Sequence, residues 1–147
     1  MQKLTILKGT EKQVAWANSI REKYFAKISE YKECCAGLEE LWKLAKEAGG
    51  GWKYSTPEQK AARNAIQEKM RLHSGAAEYL AILEAKKTNA TATHGYFDSV
   101  ERKFRDENPE SLEWDARIFA YTERSRLAEK FLHSVDNSHF FIDLETK

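Results

Sequence analysis

The sequence has little of what interrupts a helix. Among 147 residues there are two prolines and seven glycines, three of the glycines consecutive. Proline and glycine are the residues a helix interior tolerates worst, so long uninterrupted helices are permitted. Cysteine is almost absent: Cys34 and Cys35 are the only two, and they are neighbours. Adjacent helical positions point about 100° apart, so this pair cannot bridge itself without strain. Free thiols are expected in a reducing, cytoplasmic compartment. No apolar run approaches the roughly 20 residues that span a bilayer, so no membrane partner is expected. The start, MQKLTILKGT, lacks the long apolar stretch of a signal peptide. An excess of one charge is also missing, since 24 Lys and Arg against 23 Asp and Glu leave a net charge of +1. That balance argues against an acidic mimic of DNA and against a global basic field for nucleic acid.

What is present is helix-forming material. Ala, Glu, Lys, Leu and Arg make up 72 of the 147 residues, and such a chain reads as long helices. Aromatic residues, at 12%, supply core material and argue against disorder. The expected fold is all-α: a helical bundle built on a long antiparallel hairpin over residues 11–86, with C-terminal helices over 98–135, in one domain spanning 1–147.

The signals along the chain are specific. Thr10 and Gln13 form a capping box, a side-chain exchange that satisfies two orphan N–H groups at a helix start. Apolar residues then recur in steps of three and four at Val14, Ala17, Tyr24, Ile28, Tyr31, Cys35, Leu38, Trp42 and Ala45. Arg21 fills the one missing place, and Trp16, Ile20, Cys34 and Leu41 widen the stripe. Lys27, the polar exception on that flank, can lay its stem along the stripe. Gly37 is a weak point, and Gly49-Gly50-Gly51 end the helix. Thr56-Pro57-Glu58-Gln59 gives a second capping box with proline in the first turn. The helix that follows carries Ala62, Ile66, Met70, His73, Ala77, Leu80 and Leu83, with Ser74-Gly75 as a site for a kink. Residues 86–95 have no apolar period. Asp98 can cap a short helix, Asn108-Pro109 reads as the start of the last long one, and HFFIDLE reads as a short extended piece rich in β-formers. KLTIL and FFIDL are candidates to pair with each other or simply to pack across one end of the bundle. THGYFD at 93–98 resembles SHFFID at 138–143, too faintly to establish a repeat.

Catalytic readings find little support. His94 and Asp98, like His139 and Asp143, have the i,i+4 spacing that places two metal ligands on one helical face. No third ligand follows in pattern, so neither a metal nor any other cofactor is expected. Cys34 and Cys35 lie in the apolar stripe and read as small buried hydrophobes rather than nucleophiles. The triple glycine follows a helix instead of a strand, so it is no phosphate loop. The chain is therefore expected not to be an enzyme. Two binding surfaces remain. Trp52, Lys53 and Tyr54 follow the glycines. They are either interface anchors for a protein partner or a cap folded over the hairpin tip. Arg102, Lys103 and Arg105, continued by Arg117, Arg124 and Arg126, form a candidate phosphate-contacting strip. Glu101, Asp106, Glu107 and Glu123 interleave with them, which favours a solvated face of mixed charge.

Gly9-Thr10-Glu11-Lys12-Gln13-Val14-Ala15-Trp16-Ala17 with Ile20-Arg21 resembles the "G-T/S-x-K-Q-x-x-W-A-x-x-I-R" start of a group of small helical accessory proteins of phages, plasmids and bacterial accessory regions. Phe141-Ile142-Asp143 resembles the aromatic-Ile-Asp ending of the same group, although the Asn-Arg pair that follows it there is Leu144-Glu145 in this chain. The resemblance covers the two ends and leaves the middle unmatched. It implies a mobile element acting in the bacterial cytoplasm. Small proteins of that setting often occlude host defence machinery, so the expected function is binding and inhibition of a host protein. A CRISPR effector or another nuclease is the expected target, and a nucleic-acid-binding accessory role is the alternative. In the motif, Thr10 and Gln13 fix the helix start, and Trp16 and Ile20 pack where a terminal segment can dock. Arg21, at an apolar seam, requires a carboxylate, for which Asp143 is the expected donor of charge. A long hairpin also leaves homodimerisation open.

Overall fold

The computed structural model describes residues 6–49, 51–93 and 95–146, and leaves the side chains of Tyr54 and Thr146 undescribed. The chain forms α1 (Glu11–Glu47), a 3-10 turn (Gly51–Tyr54), α2 (Pro57–Ala85), α3 (Tyr96–Glu107), α4 (Glu113–Ser134) and α5 (Ser138–Thr146). It is an all-α helical bundle.

Both capping boxes form. Gln13 donates its N–H to Thr10 Oγ1 at 3.2 Å, and the Thr10 N–H reaches Gln13 Oε1 at 3.1 Å. At α2 the corresponding distances are 3.1 Å and 2.9 Å. Register between helices follows from their cross-contacts. Glu30 of α1 meets His73 of α2, while Gly37 lies against Ile66. Later residues of α1 thus meet earlier residues of α2, and the hairpin is antiparallel. The same holds for α1 and α4, where Trp42 meets Asp115, Tyr31 meets Arg124 and Lys32 meets Glu129. α2 and α4 therefore run parallel, joined through α3, which packs on α4. The core they enclose includes Ile28, Tyr31, Leu38, Leu80, Ala128 and Leu132, all at most 1% exposed. Each large apolar side chain buried in this way contributes about 1.5–3 kcal/mol.

Several expectations are corrected. HFFIDLE is helical, not extended. Asn137 Oδ1 accepts the His139 N–H at 2.9 Å, starting α5, and Phe141 is 0% exposed where α5 packs on α1. Tertiary burial overrides the β preference of these residues. Among the described residues the terminal segments meet through one parallel bridge, Lys8 with Asn137; FFIDL is helical, and residues 3–5 of KLTIL lie outside the description. Asn108-Pro109 closes α3 instead of opening α4: the Asn108 N–H and side-chain amide both donate to the Phe104 carbonyl at 2.9 Å. α4 begins after Leu112, whose N–H donates to Asp115 Oδ2 at 2.9 Å. α3 begins at Tyr96 after Gly95, without a side-chain cap, so Asp98 lies in its first turn and not at its cap. α1 continues through Gly37 and α2 through Ser74-Gly75. Lys27 behaves as expected, with its Nζ 4.8 Å from the centre of the Tyr24 ring.

Candidate functional site

The C-terminal half of α1, the α3–α4 turn and the first turns of α4 enclose an open groove of about 990 Å³. Its apolar floor includes Trp42, Ile118 and a stacked pair, Phe104 and Phe119, with ring centres 4.7 Å apart. Phe119 is 41% exposed. A large aromatic left half in water, on a rigid helix and over a groove, has the chemistry of an interface anchor. Four carboxylates line the groove, Glu39, Glu107, Glu110 and Asp115, against two lysines, Lys43 and Lys46.

Asp115 organises the deep end. Its Oδ1 accepts from Trp42 Nε1 at 2.8 Å and from Lys46 Nζ at 2.7 Å, while its Oδ2 holds the first turn of α4. Burial works to raise the Asp115 pKa, but the hydrogen bonds from Lys46, the Leu112 N–H and Trp42 outweigh it and hold the carboxyl below its ordinary value. The carboxylate therefore stays ionised at neutral pH and fixes this end of the groove as structure.

Behind this network lies the hairpin tip. Trp52 is not an exposed anchor. It folds back, its ring 5.1 Å from Trp42 and 5.4 Å from Trp114, with the Arg63 guanidinium 5.0 Å from its centre. Gly51 makes this possible: at φ 60°, an added Cβ would stand 3.0 Å from the Trp42 ring. The capping alternative thus holds for Trp52. Lys53 is exposed at the tip, and the Tyr54 side chain is outside the description.

The N-terminal motif is divided. Ile20 is 4% exposed and packs as expected, whereas Trp16 is 49% exposed and leaves its docking role to Ala17 and Ile20. Arg21 is buried, and its Nη2 donates to Asn18 Oδ1 at 2.8 Å. Burial pulls its pKa down, partly offset by Glu22. The tail does reach α1: α5 packs there, Lys23 pairs with Glu145 at 3.3 Å, and Gln13 lies 3.5 Å from His139. Asp143 lies on α5 and is exposed.

Four of the six cations of the strip, Lys103, Arg105, Arg117 and Arg126, face carboxylates. Lys103 and Arg105 stand 3.8 Å from Glu107 and Glu101, and Arg126 grips Glu123 through two contacts of 2.9 Å. Arg102 is exposed beside them. Burial, then the neighbouring Cys34, pushes the Cys35 thiol up to about 12, and burial raises Cys34 as well. Both are protonated at neutral pH and unsuited to nucleophilic chemistry. Among the described residues no three His, Cys, Asp or Glu side chains are grouped to hold a metal; His94 lies outside them. No helix of the described chain is long and apolar enough to cross a membrane.

Sequence reasoning missed Asp115 and the exposure of Phe119. Phe119 stands in the apolar period of α4 and reads as core, and Asp115 reads as one more surface acid. They share one face of α4, four residues apart, and only the packing of α1 on α4 makes that face a groove. Comparison with protein-family models, curated proteins and solved structures returns no match to this chain.

Proposed function

We propose that this chain is a non-enzymatic, protein-binding protein of a mobile genetic element, that it docks on its target through the groove between α1, α3 and α4, and that the target is a host defence nuclease such as a CRISPR effector. The half-exposed Phe119, stacked on Phe104 in the lining of the groove, carries the docking reading. The carboxylate-rich lining suits a partner that presents an apolar side chain flanked by lysine or arginine. Enzymes that grip phosphate backbones carry such basic surfaces. The mobile-element setting and the inhibitory role rest on the resemblance of residues 9–21 and 141–143.

The nucleic-acid alternative, through Arg102, Lys103 and Arg105, draws less support, because Lys103 and Arg105 already face carboxylates. The test is plating of a phage on a bacterium armed with a panel of nuclease-based defences, with and without this protein. Restored plating against one defence, lost with Phe119→Glu, is expected. No change in plating against any of them would contradict the inhibitory role. Tight, steeply salt-dependent binding of nucleic acid would favour the alternative.

A further inference from the structure

Away from the groove, α1, α2 and α4 surround a smaller cavity of about 300 Å³ midway along the bundle. Tyr31, Gln67, Arg71, Tyr121 and Arg124 contribute polar groups to its lining, which contains two arginines and no carboxylate. Arg71 stands at the rim and is already matched by Glu68 at 2.6 Å. Arg124 is different. It is partly buried. Arg71, Arg105, Arg117 and Arg126 pair with carboxylates, whereas Arg124 makes no such pair among the described residues. Its Nε is buried without a hydrogen-bond acceptor. Its Nη1 donates to the Tyr31 hydroxyl at 3.1 Å, and its guanidinium lies 4.9 Å from the Phe97 ring centre and 5.8 Å from that of Tyr121.

A guanidinium withdrawn from water is costly unless charge or rings offset the loss. The two rings offset part of it. An anion in the cavity would offset the rest. The fully buried Tyr31 hydroxyl accepts from Arg124 and fixes the guanidinium in place. Burial holds the Tyr121 phenol above its ordinary pKa, so it remains a donor at neutral pH. An arginine fork beside neutral O–H and amide donors, with no acid in the lining, is the donor set that recognises an oxyanion.

We infer that this cavity binds a small oxyanion, a carboxylate or a phosphate group, with Arg124 as its charge partner, the Tyr121 hydroxyl as a donor and Tyr31 as the residue that positions Arg124. Its volume lies at the low end for ligand pockets, which limits the ligand to a small molecule. The test is calorimetric titration of the whole chain with inorganic phosphate and, separately, with acetate, against chloride at equal ionic strength. Saturable binding of phosphate alone assigns a phosphoryl ligand, and of acetate alone a carboxylate. Arg124→Lys keeps the charge but loses the fork, and is expected to weaken binding about tenfold or more. Tyr31→Phe removes the hydroxyl that fixes Arg124, so it decides the question should the Arg124 variant fold poorly; several-fold weaker binding is expected. Saturable binding of neither anion above chloride, or binding unaltered by both Arg124→Lys and Tyr31→Phe, would overturn the assignment.

Discussion

Single residues show where local chemistry decides and where it does not. Thr10 and Gln13 are settled within four residues, because a capping box needs only the helix start. Trp52 is settled by Trp42 and Trp114, which lie far from it in the chain. Its truncation is therefore a stability mutation: Trp52→Ala should cost about 3 kcal/mol in urea unfolding, and a loss below about 0.5 kcal/mol, as for a surface site, would return the residue to the interface. Asp115 predicts a pH dependence. Its folded pKa lies below the ordinary 3.8, so its contribution is present above the unfolded-state pKa and lost as pH falls through the folded one. Unfolding midpoints measured from pH 7 down to pH 2 should show a decline in that acid window that Asp115→Asn shallows. An identical profile in the variant would mean that the network with Trp42 and Lys46 does not hold the carboxylate. Arg21 is buried with Asn18 as one acceptor. A double-mutant cycle of Arg21→Gln and Asp143→Asn is expected to return a coupling of about 1 kcal/mol; zero coupling would remove Asp143 as the partner expected from the motif.

Among the elements, α1, α2 and α4 were legible and α5 was not. The long helices announce themselves by period and caps, and by the two breaks at the triple glycine and at residues 86–95. SHFFIDLET is nine residues long, too short for periodicity to speak, and its Phe and Ile residues favour strands in isolation. What makes it helical is the Asn137 cap and the burial of Phe141 against α1, and neither is visible until the chain is folded. The α3–α4 turn was misread for a related reason. Asn-Pro serves either end of a helix, and Phe104 supplies the carbonyl that decides which. The joint between the two chain ends gives a test of the element scale. Gly9 sits at φ 145°, and a Cβ there would stand 3.0 Å from Gln13 Oε1 and 3.2 Å from Ser138 Oγ. Gly9→Ala should thus cost about 1–3 kcal/mol and expose the amides of α5 to faster hydrogen exchange. Unchanged protection of α5 would show that the Lys8–Asn137 bridge is not what docks it.

The whole molecule is a three-helix frame in which α1 runs against both α2 and α4, α3 props α4, and α5 closes one end. The sequence conveyed this frame more fully than it conveyed the site. A groove arises only where two distant helices meet, so neither Phe119 nor Asp115 is marked by its neighbours in the chain. The tip, which looked like the interface, is filled by its own tryptophans. The half-exposed aromatic face lies instead on the flank of the bundle. The most direct test compares phage plating under a nuclease defence for the unaltered chain, for Phe119→Glu, and for the triple variant Arg102→Gln, Lys103→Gln, Arg105→Gln. Phe119→Glu is expected to keep the helical spectrum and lose at least about tenfold in protection, the equivalent of one buried anchor contact, while the triple variant protects as well as the unaltered chain. Full protection by a folded Phe119→Glu protein, with protection lost in the triple variant, would contradict docking through the groove.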